Sequence, residues 1–406
     1  MGFCTMPDCL TAQSANSRAT LPMPDAKAQA VSERLMRQIF RAIDQSGGAI
    51  PFDRFMEMAL YAPGLGYYVA GSRKFGAQGD FITAPEVSSL FAQCLARQIA
   101  QVLSAVPGGE ILEFGAGSGV LAADTLTELA ALELLPSRYL ILEVSPELRG
   151  RQKELLSERV PDLIERVIWL DAMPKDFSGC VVANELLDAM PVSRFRVLDG
   201  EIQECFVHLD GENLKACFQA PITPGLTEEV AQLQGNLGPF ESGYVSEINL
   251  RQVAWLKSLS ESIKQGAVFL VDYGYSSGEY YHPQRSEGTL MCHYRHRAHS
   301  DPFRWVGIQD ITCQVDFTSA AKVALESGFR LGGYTTQAHF LIANGLDTLL
   351  AESDPEDVVR HMSLMQGVKR LTLPSEMGER FKVLGLLKNL QLALQGFSMR
   401  DMCERL

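Results

Sequence analysis

The chain has 406 residues, 46% of them hydrophobic, and carries 36 Lys and Arg against 49 Asp and Glu, a net charge of −13. That balance excludes nucleic acid or an anionic membrane as the main partner, since either needs a basic face, and no apolar run approaches the roughly 18 residues of a membrane-inserted helix. Nine cysteines without a C-x-x-C pair point to reduced thiols in a soluble, cytoplasmic setting rather than to a disulfide framework.

In chain order, residues 1–30 lack the apolar core of a signal peptide and are expected to form a mobile leader. An N-terminal cover of helices and loops is predicted over 31–106. Within it Leu35, Met36, Ile39, Phe40 and Ile43 recur at helical spacing until Gly47-Gly48 stops the pattern. Pro51 suits the first turn of a second helix. The glycine- and aromatic-rich stretches Tyr61-Ala-Pro-Gly-Leu-Gly-Tyr-Tyr68 and Gly76-Ala-Gln-Gly-Asp-Phe-Ile-Thr83 read as an ordered loop, and a helix resumes after Pro85.

Residues 107–390 then alternate strand and helix, as a parallel sheet requires. The first strand runs into the glycine-rich turn of Ile111-Leu-Glu-Phe-Gly-Ala-Gly-Ser-Gly119, with a helix opening at Val120. Tyr139–Glu143, Val167–Asp171 and Cys180–Asn184 are the next three strands, with a charged helix over Pro146–Arg159. An antiparallel meander is inserted over 192–245, its hairpins marked by Asp199-Gly200 and Asp210-Gly211. Ala267–Val271 resumes the sheet as strand five. Residues 274–310, dense in Tyr, His, Arg, Pro and Gly, read as a long active-site loop. Beyond it come a helix over Phe317–Ser327, a strand over Leu331–Ile342, helices between Leu346 and Met365, an edge strand over Phe381–Leu387 and a helical tail over 391–406.

The chemistry gathers at the strand ends. Gly115, Gly117 and Gly119 let the backbone approach a ligand closely, but Val120 stands where the dinucleotide fingerprint needs its third glycine, which favours an adenosyl ligand without pyrophosphate. Glu143 falls 24 residues after Gly119, where a carboxylate accepts bonds from ribose hydroxyls. Asp171, beside Ala172, is placed to receive an adenine amino group. Asn184 and Glu185 end the fourth strand and face the reacting centre, because ligands bind outside the carboxyl ends of the strands.

Each residue also has a plainer reading. Glu185 and Asp188 could cap the following helix, Asn184 could order the strand end, and Asp80 could hold its own loop. Cys292, His293, His296 and His299 are of metal-ligand type, but Arg295 and Arg297 between them repel a cation and the spacing matches no zinc pattern, so no metal is expected.

The motifs extend beyond the cofactor series. Phe52-Asp-Arg-Phe-Met-Glu-Met-Ala-Leu-Tyr61, Gly66-Tyr-Tyr68, Gly79-Asp-Phe-Ile-Thr-Ala-Pro-Glu86, Glu113-Phe-Gly-Ala-Gly-Ser-Gly119, Ala183-Asn-Glu-Leu-Leu-Asp-Ala-Met-Pro191, Ser246-Glu-Ile-Asn249, Tyr280-Tyr-His-Pro-Gln-Arg-Ser286 and Asp310-Ile-Thr312 together resemble the MidA family of class I S-adenosylmethionine-dependent methyltransferases. That family includes a mitochondrial complex I assembly methyltransferase. The resemblance spans about Ile50 to Lys388. It implies an α/β fold with a seven-stranded Rossmann-like sheet, S-adenosyl-L-methionine as cofactor, and methyl transfer to an arginine of a protein substrate such as a respiratory-complex subunit. It also implies cofactor contacts from Glu113, Gly115, Ala116, Gly117, Gly119, Glu143, Asp171, Ala172 and Asn184. Glu185, Asp188 and Asp80 are the expected catalytic carboxylates. Tyr68, Phe81, Tyr281, His293 and His296 are expected to wall a substrate channel, with Tyr67 and Tyr280 as further candidates. The alternatives are the same cofactor with a small-molecule or other side-chain acceptor, or an assembly factor that keeps the fold without activity.

Overall fold

The computed structural model describes residues 21–70, 83–353 and 356–406. Seven strands form its central sheet: β1 (Glu110–Phe114), β2 (Tyr139–Leu142), β3 (Val167–Leu170), β4 (Phe177–Asn184), β5 (Ile263–Tyr275), β6 (Arg330–Thr336) and β7 (Phe381–Lys388). Their order is β6-β7-β5-β4-β1-β2-β3, with Val315–Asp316 adding a short parallel pairing at the end of β5. All pairings from β5 through β4, β1 and β2 to β3 are parallel, whereas β7 runs antiparallel to both β5 and β6. The sheet reverses its winding between β1 and β4, and such a switch point opens a crevice at the carboxyl ends of the strands.

Both faces of the sheet are covered, so the strands read as apolar runs. On one face Ile111, Cys180, Val182, Phe269 and Val383 pack beneath the helices Ser89–Ala105 and Val120–Ala131. On the other, Leu112, Val181, Val268, Leu270 and Leu384 meet the helices Leu250–Ser262 and Phe317–Glu326. The alternation along each strand sends successive side chains to opposite layers.

Several boundaries differ from the sequence expectation. The first helix begins at Ala26, where the Asp25 side chain accepts the Ala28 N–H at 2.8 Å, rather than near Val31. The strand expected over Leu331–Ile342 ends at Thr336, whose hydroxyl caps the helix Gln337–Ala343. Phe381–Lys388 is not an edge strand, because it lies between β5 and β6 and pairs with both. The tail is not a helix: it has only short turns at Gln395–Phe397 and Cys403–Arg405. Phe397 fills the space above Gly333 and Gly385, and Met402 N–H bonds to the Tyr334 carbonyl at 2.7 Å, so tertiary packing fixes this segment against helical propensity.

The inserted meander forms as Ser193–Leu198, Glu201–Asp210 and Asn213–Gln219, and it recruits Ala49–Pro51 and Tyr244–Ile248 into one five-stranded antiparallel sheet. The N-terminal helices Ala26–Gln45 and Phe52–Tyr61 pack on this sheet through Leu35, Ile39, Phe55 and Met56. The stretch 274–310 is not a structureless loop. Met291–Tyr294 pairs with both Arg297–His299 and Asp310–Thr312 in a small antiparallel sheet beside the crevice.

Candidate active site

A cavity of about 870 Å³ opens at the carboxyl ends of β1, β2, β4 and β5. Its floor is the turn after β1. Gly115, Gly117 and Gly119 have φ of +64°, +53° and +89°, the left-handed region that a side chain disfavours. Gly119 then starts the helix Val120–Ala131 directly, and a Cβ on it would sit 3.4 Å from the Gln152 Cα. Glu113, Gly115, Ala116 and Gly117 line the cavity.

Glu143 follows β2 and lines the same space while 4% exposed. Its carboxylate accepts the Ser145 N–H at 2.9 Å and the Gln152 amide at 3.1 Å, and Gln152 in turn donates to the Gly117 carbonyl at 3.0 Å. One glutamine thus ties the acidic strand end to the glycine turn. Glu113 is also buried, and although the Tyr139 hydroxyl donates to it at 2.7 Å, desolvation pushes its carboxyl up to about 7.

At the end of β4 the backbone turns sharply, with Glu185 at φ +51°, a strained value for a residue with a side chain. Glu185 accepts the Ala84 N–H at 3.4 Å and the Asn184 amide at 3.3 Å. Desolvation, with the nearby Asp188 charge, raises its carboxyl to about 8. Asp188 accepts a bond from the Tyr273 hydroxyl, and burial raises it to about 6. Asp272 lies behind: its Oδ2 accepts the Leu187 and Asp188 N–H groups at 2.9 and 3.3 Å. Desolvation and the Asp188 charge hold Asp272 well above the carboxylate range.

The opposite wall is aromatic and partly from the N-terminal cover. Tyr61 and Tyr68 stack with ring centroids 5.5 Å apart. The Tyr61 hydroxyl donates to the Ala189 carbonyl at 3.0 Å and the Tyr68 hydroxyl to Asp310 at 3.0 Å. Thr83, Pro85 and Glu86 also line the cavity, and Ser118 of the glycine turn donates to Glu86. Tyr275, His293, Arg370 and Arg380 are also in the lining.

The structure therefore brings together Glu113, Gly115, Ala116, Gly117, Glu143, Asn184, Glu185, Asp188, Tyr68 and His293. It does not bring in Asp171 or Ala172. The Asp171 side chain is 91% exposed and bonded to Arg149 at 2.7 Å, because Arg149, which also holds the Glu143 and Leu170 carbonyls, draws it outward. Tyr281 lies in the core beneath the five-stranded sheet, its hydroxyl on the Glu247 carbonyl at 3.1 Å, and Tyr280 packs against it. Tyr67 is buried among the N-terminal helices. His296 sits in the exposed turn of the small sheet at φ +59°, away from the cavity. Asp80 and Phe81 lie outside the described residues. Sequence reasoning did not single out Tyr61, Tyr273, Asp272 or Asp310 for the site. Asp310 was visible only as part of Asp310-Ile-Thr312, and Asp272-Tyr273 only as the residues that follow an apolar strand.

Among the described residues, no group of three or more His, Cys, Asp or Glu gathers to hold a metal, and no helix is long and apolar enough to cross a membrane.

Comparison with known proteins gives this geometry a context. The model of a family described as "Putative S-adenosyl-L-methionine-dependent methyltransferase" matches residues 94–335. The fruit fly (Drosophila melanogaster) protein named protein arginine methyltransferase NDUFAF7 homolog, mitochondrial, is 29% identical over 90% of this chain and 87% of its own length. The human protein arginine methyltransferase NDUFAF7, mitochondrial, is 28% identical over 86% and 82%. A crystal structure from Burkholderia thailandensis bound to S-adenosyl-homocysteine has 43% identity and a TM-score of 0.91, covering 95% of this chain and 100% of that one.

The residues present fit an adenosyl cofactor with a sulfonium centre. The left-handed glycines leave the floor free of side chains, and Glu143 stands at the end of β2. The Asn184 Oδ1 is buried without a partner among the described residues. Glu113, Glu143 and Asp188 are buried and Glu185 half-buried, and among the described residues none of the four forms an ion pair. The chain belongs to the MidA-like family of S-adenosylmethionine-dependent methyltransferases, and it is an enzyme of that class.

Proposed function

We propose that the chain methylates arginine in a protein substrate, a respiratory-complex subunit being the first candidate. The observation that carries this reading is the pair Glu185, half-buried, and Asp188, buried, two carboxylates after β4 that line one cavity and form no ion pair among the described residues. The relatives named protein arginine methyltransferase support it.

Gly115, Ala116, Gly117, Glu143 and Asn184 would hold the cofactor. Bound S-adenosylmethionine supplies an electrophilic methyl group. An arginine guanidinium is planar, always charged and forked, and carboxylates bind that fork through paired charge-assisted bonds. Glu185 and Asp188 would take it in this way, fixing one nitrogen in line for attack. An incoming cation favours the ionised form of both groups, offsetting the desolvation that raises them above the usual carboxylate range. The nitrogen that gains a methyl must lose a proton, and a Glu185 oxygen is the acceptor in reach of the cavity. Tyr61 and Tyr68 exclude water from the opposite side.

Incubation with radiolabelled cofactor and candidate respiratory-complex subunits tests the proposal. Label on an arginine of one subunit is the expected result. Label on no subunit would remove the substrate assignment.

A further inference from the structure

Tyr275 lines the active-site cavity and also a second cavity of about 630 Å³. The second cavity is basic in a chain whose net charge is −13. Arg285, Lys382, Arg400 and Arg405 converge on it, against Glu279 and Glu379. Among the described residues none of these four cations forms an ion pair.

Neutral groups hold Arg285 and Lys382 instead, and Arg400 and Arg405 are exposed at the rim. The Arg285 guanidinium donates to the Glu279 backbone carbonyl and lies 4.1 Å from the Tyr275 ring centroid. Lys382, on β7, is 9% exposed, donates to the Glu379 backbone carbonyl and has its ammonium 6.0 Å from the same ring. Carbonyl oxygens and an aromatic face orient a cation without cancelling its charge. A buried ammonium left unpaired is costly, so the arrangement calls for an anion.

We infer that this cavity is a subsite for a carboxylate side chain of the methyl acceptor, carried a few residues from the arginine that enters the neighbouring cavity. The inference rests on the proposed polypeptide acceptor, since Tyr275 is a wall of both spaces and an extended chain seated in one continues toward the other. The two glutamates leave an excess of two positive charges, which suits a single carboxylate and disfavours a polyphosphate. The Tyr/His-rich stretch around 274–310 thereby acquires a second use, since Ser276, Glu279, His282 and Arg285 line the second cavity while Met291 and His293 line the first.

The test uses the full chain saturated with S-adenosyl-homocysteine and short fluorescein-labelled peptides, read by polarisation. Each peptide has one central arginine and either Glu or Gln at one flanking position. The expected result is one offset at which Glu binds roughly tenfold tighter than Gln. That preference should vanish in an Arg285→Gln, Arg405→Gln double variant, return with Arg285→Lys, Arg405→Lys, and weaken with added salt. S-adenosyl-homocysteine affinity and melting temperature, unchanged in the variants, show that the fold is retained. No Glu-over-Gln difference at any offset, or a difference that survives the double Gln variant, overturns the subsite. A parallel series with the arginine replaced by norleucine separates the two ideas. Loss of binding on replacing arginine, with no Glu effect in the arginine series, keeps the arginine reading and removes the subsite, and a Glu effect of the same size in both series with no loss on replacing arginine does the reverse.

Discussion

The Tyr273 hydroxyl donates a hydrogen bond to one oxygen of Asp188, while the other oxygen of that carboxylate is buried without a partner among the described residues. An unmet buried acceptor costs free energy, and here it lies at the cavity, where a donor-rich ligand satisfies it. Asp272, the residue before Tyr273, grips the backbone N–H groups of Leu187 and Asp188. Consecutive residues at the end of β5 thus fix both the backbone and the side chain of Asp188.

Removing that support gives a first prediction. Tyr273→Phe frees the Asp188 carboxylate to rotate, and kcat/KM for the acceptor should fall about tenfold while S-adenosyl-homocysteine affinity holds. Asp188→Asn, which removes the charge, should cost roughly a hundredfold. Steady-state kinetics beside calorimetry checks both, and a parallel loss of cofactor affinity would place Asp188 in the wrong subsite.

The raised carboxyls predict a pH profile. Glu185 and Asp188 are pushed by burial to about 8 and about 6, and only their ionised forms attract a guanidinium. Acceptor kcat/KM should therefore rise from pH 6 to above pH 8 and then level off. Glu185→Gln should lower activity and flatten the upper part of that rise, and a wild-type profile already flat across this range would contradict the assignment.

The same shift bears on stability. A carboxyl whose folded pKa lies above its unfolded value binds its proton more tightly when folded, so stability is lost as pH rises from the unfolded value of 4.5 toward 8. Glu185→Gln, neutral at every pH, should raise the melting temperature at pH 8 by a few degrees and have less effect at pH 5. Scanning calorimetry at the two pH values decides it, and an equal shift at both would point to packing rather than charge.

Two acidic strand ends should behave differently toward the cofactor. Glu143→Ala removes a buried carboxylate on the cavity wall and should weaken S-adenosyl-homocysteine binding by about tenfold or more. Asp171→Ala should leave it unchanged, since the Asp171 side chain is 91% exposed and its Arg149 pair is a surface one worth at most about 1 kcal/mol. Calorimetric titration of both variants tests the contrast, and equal losses would restore Asp171 to the site.

That contrast shows where sequence reading reached its limit. Glycine spacing and apolar runs ending in Glu143 and Asn184 marked the sheet and its functional edge, because strand period and turn chemistry are local. Asp171 met the same local criterion, but Arg149 on the helix Pro146–Arg159 draws its side chain out, a tertiary effect. Tyr68 finds Asp310 across 242 positions, and Tyr273 finds Asp188 across 85. No periodicity encodes such pairings. The apolar run Phe381–Leu387 was legible as a strand, yet its place between β5 and β6 follows from sheet order, which local pattern does not carry.

The side chain proposed to meet Glu185 and Asp188 is arginine. Acid hydrolysis and amino-acid analysis of a cell extract labelled by the enzyme with radioactive S-adenosylmethionine test it most directly. The prediction is label in methylated arginine, lost with Glu185→Gln. Label confined to another amino acid or to a small molecule would contradict it.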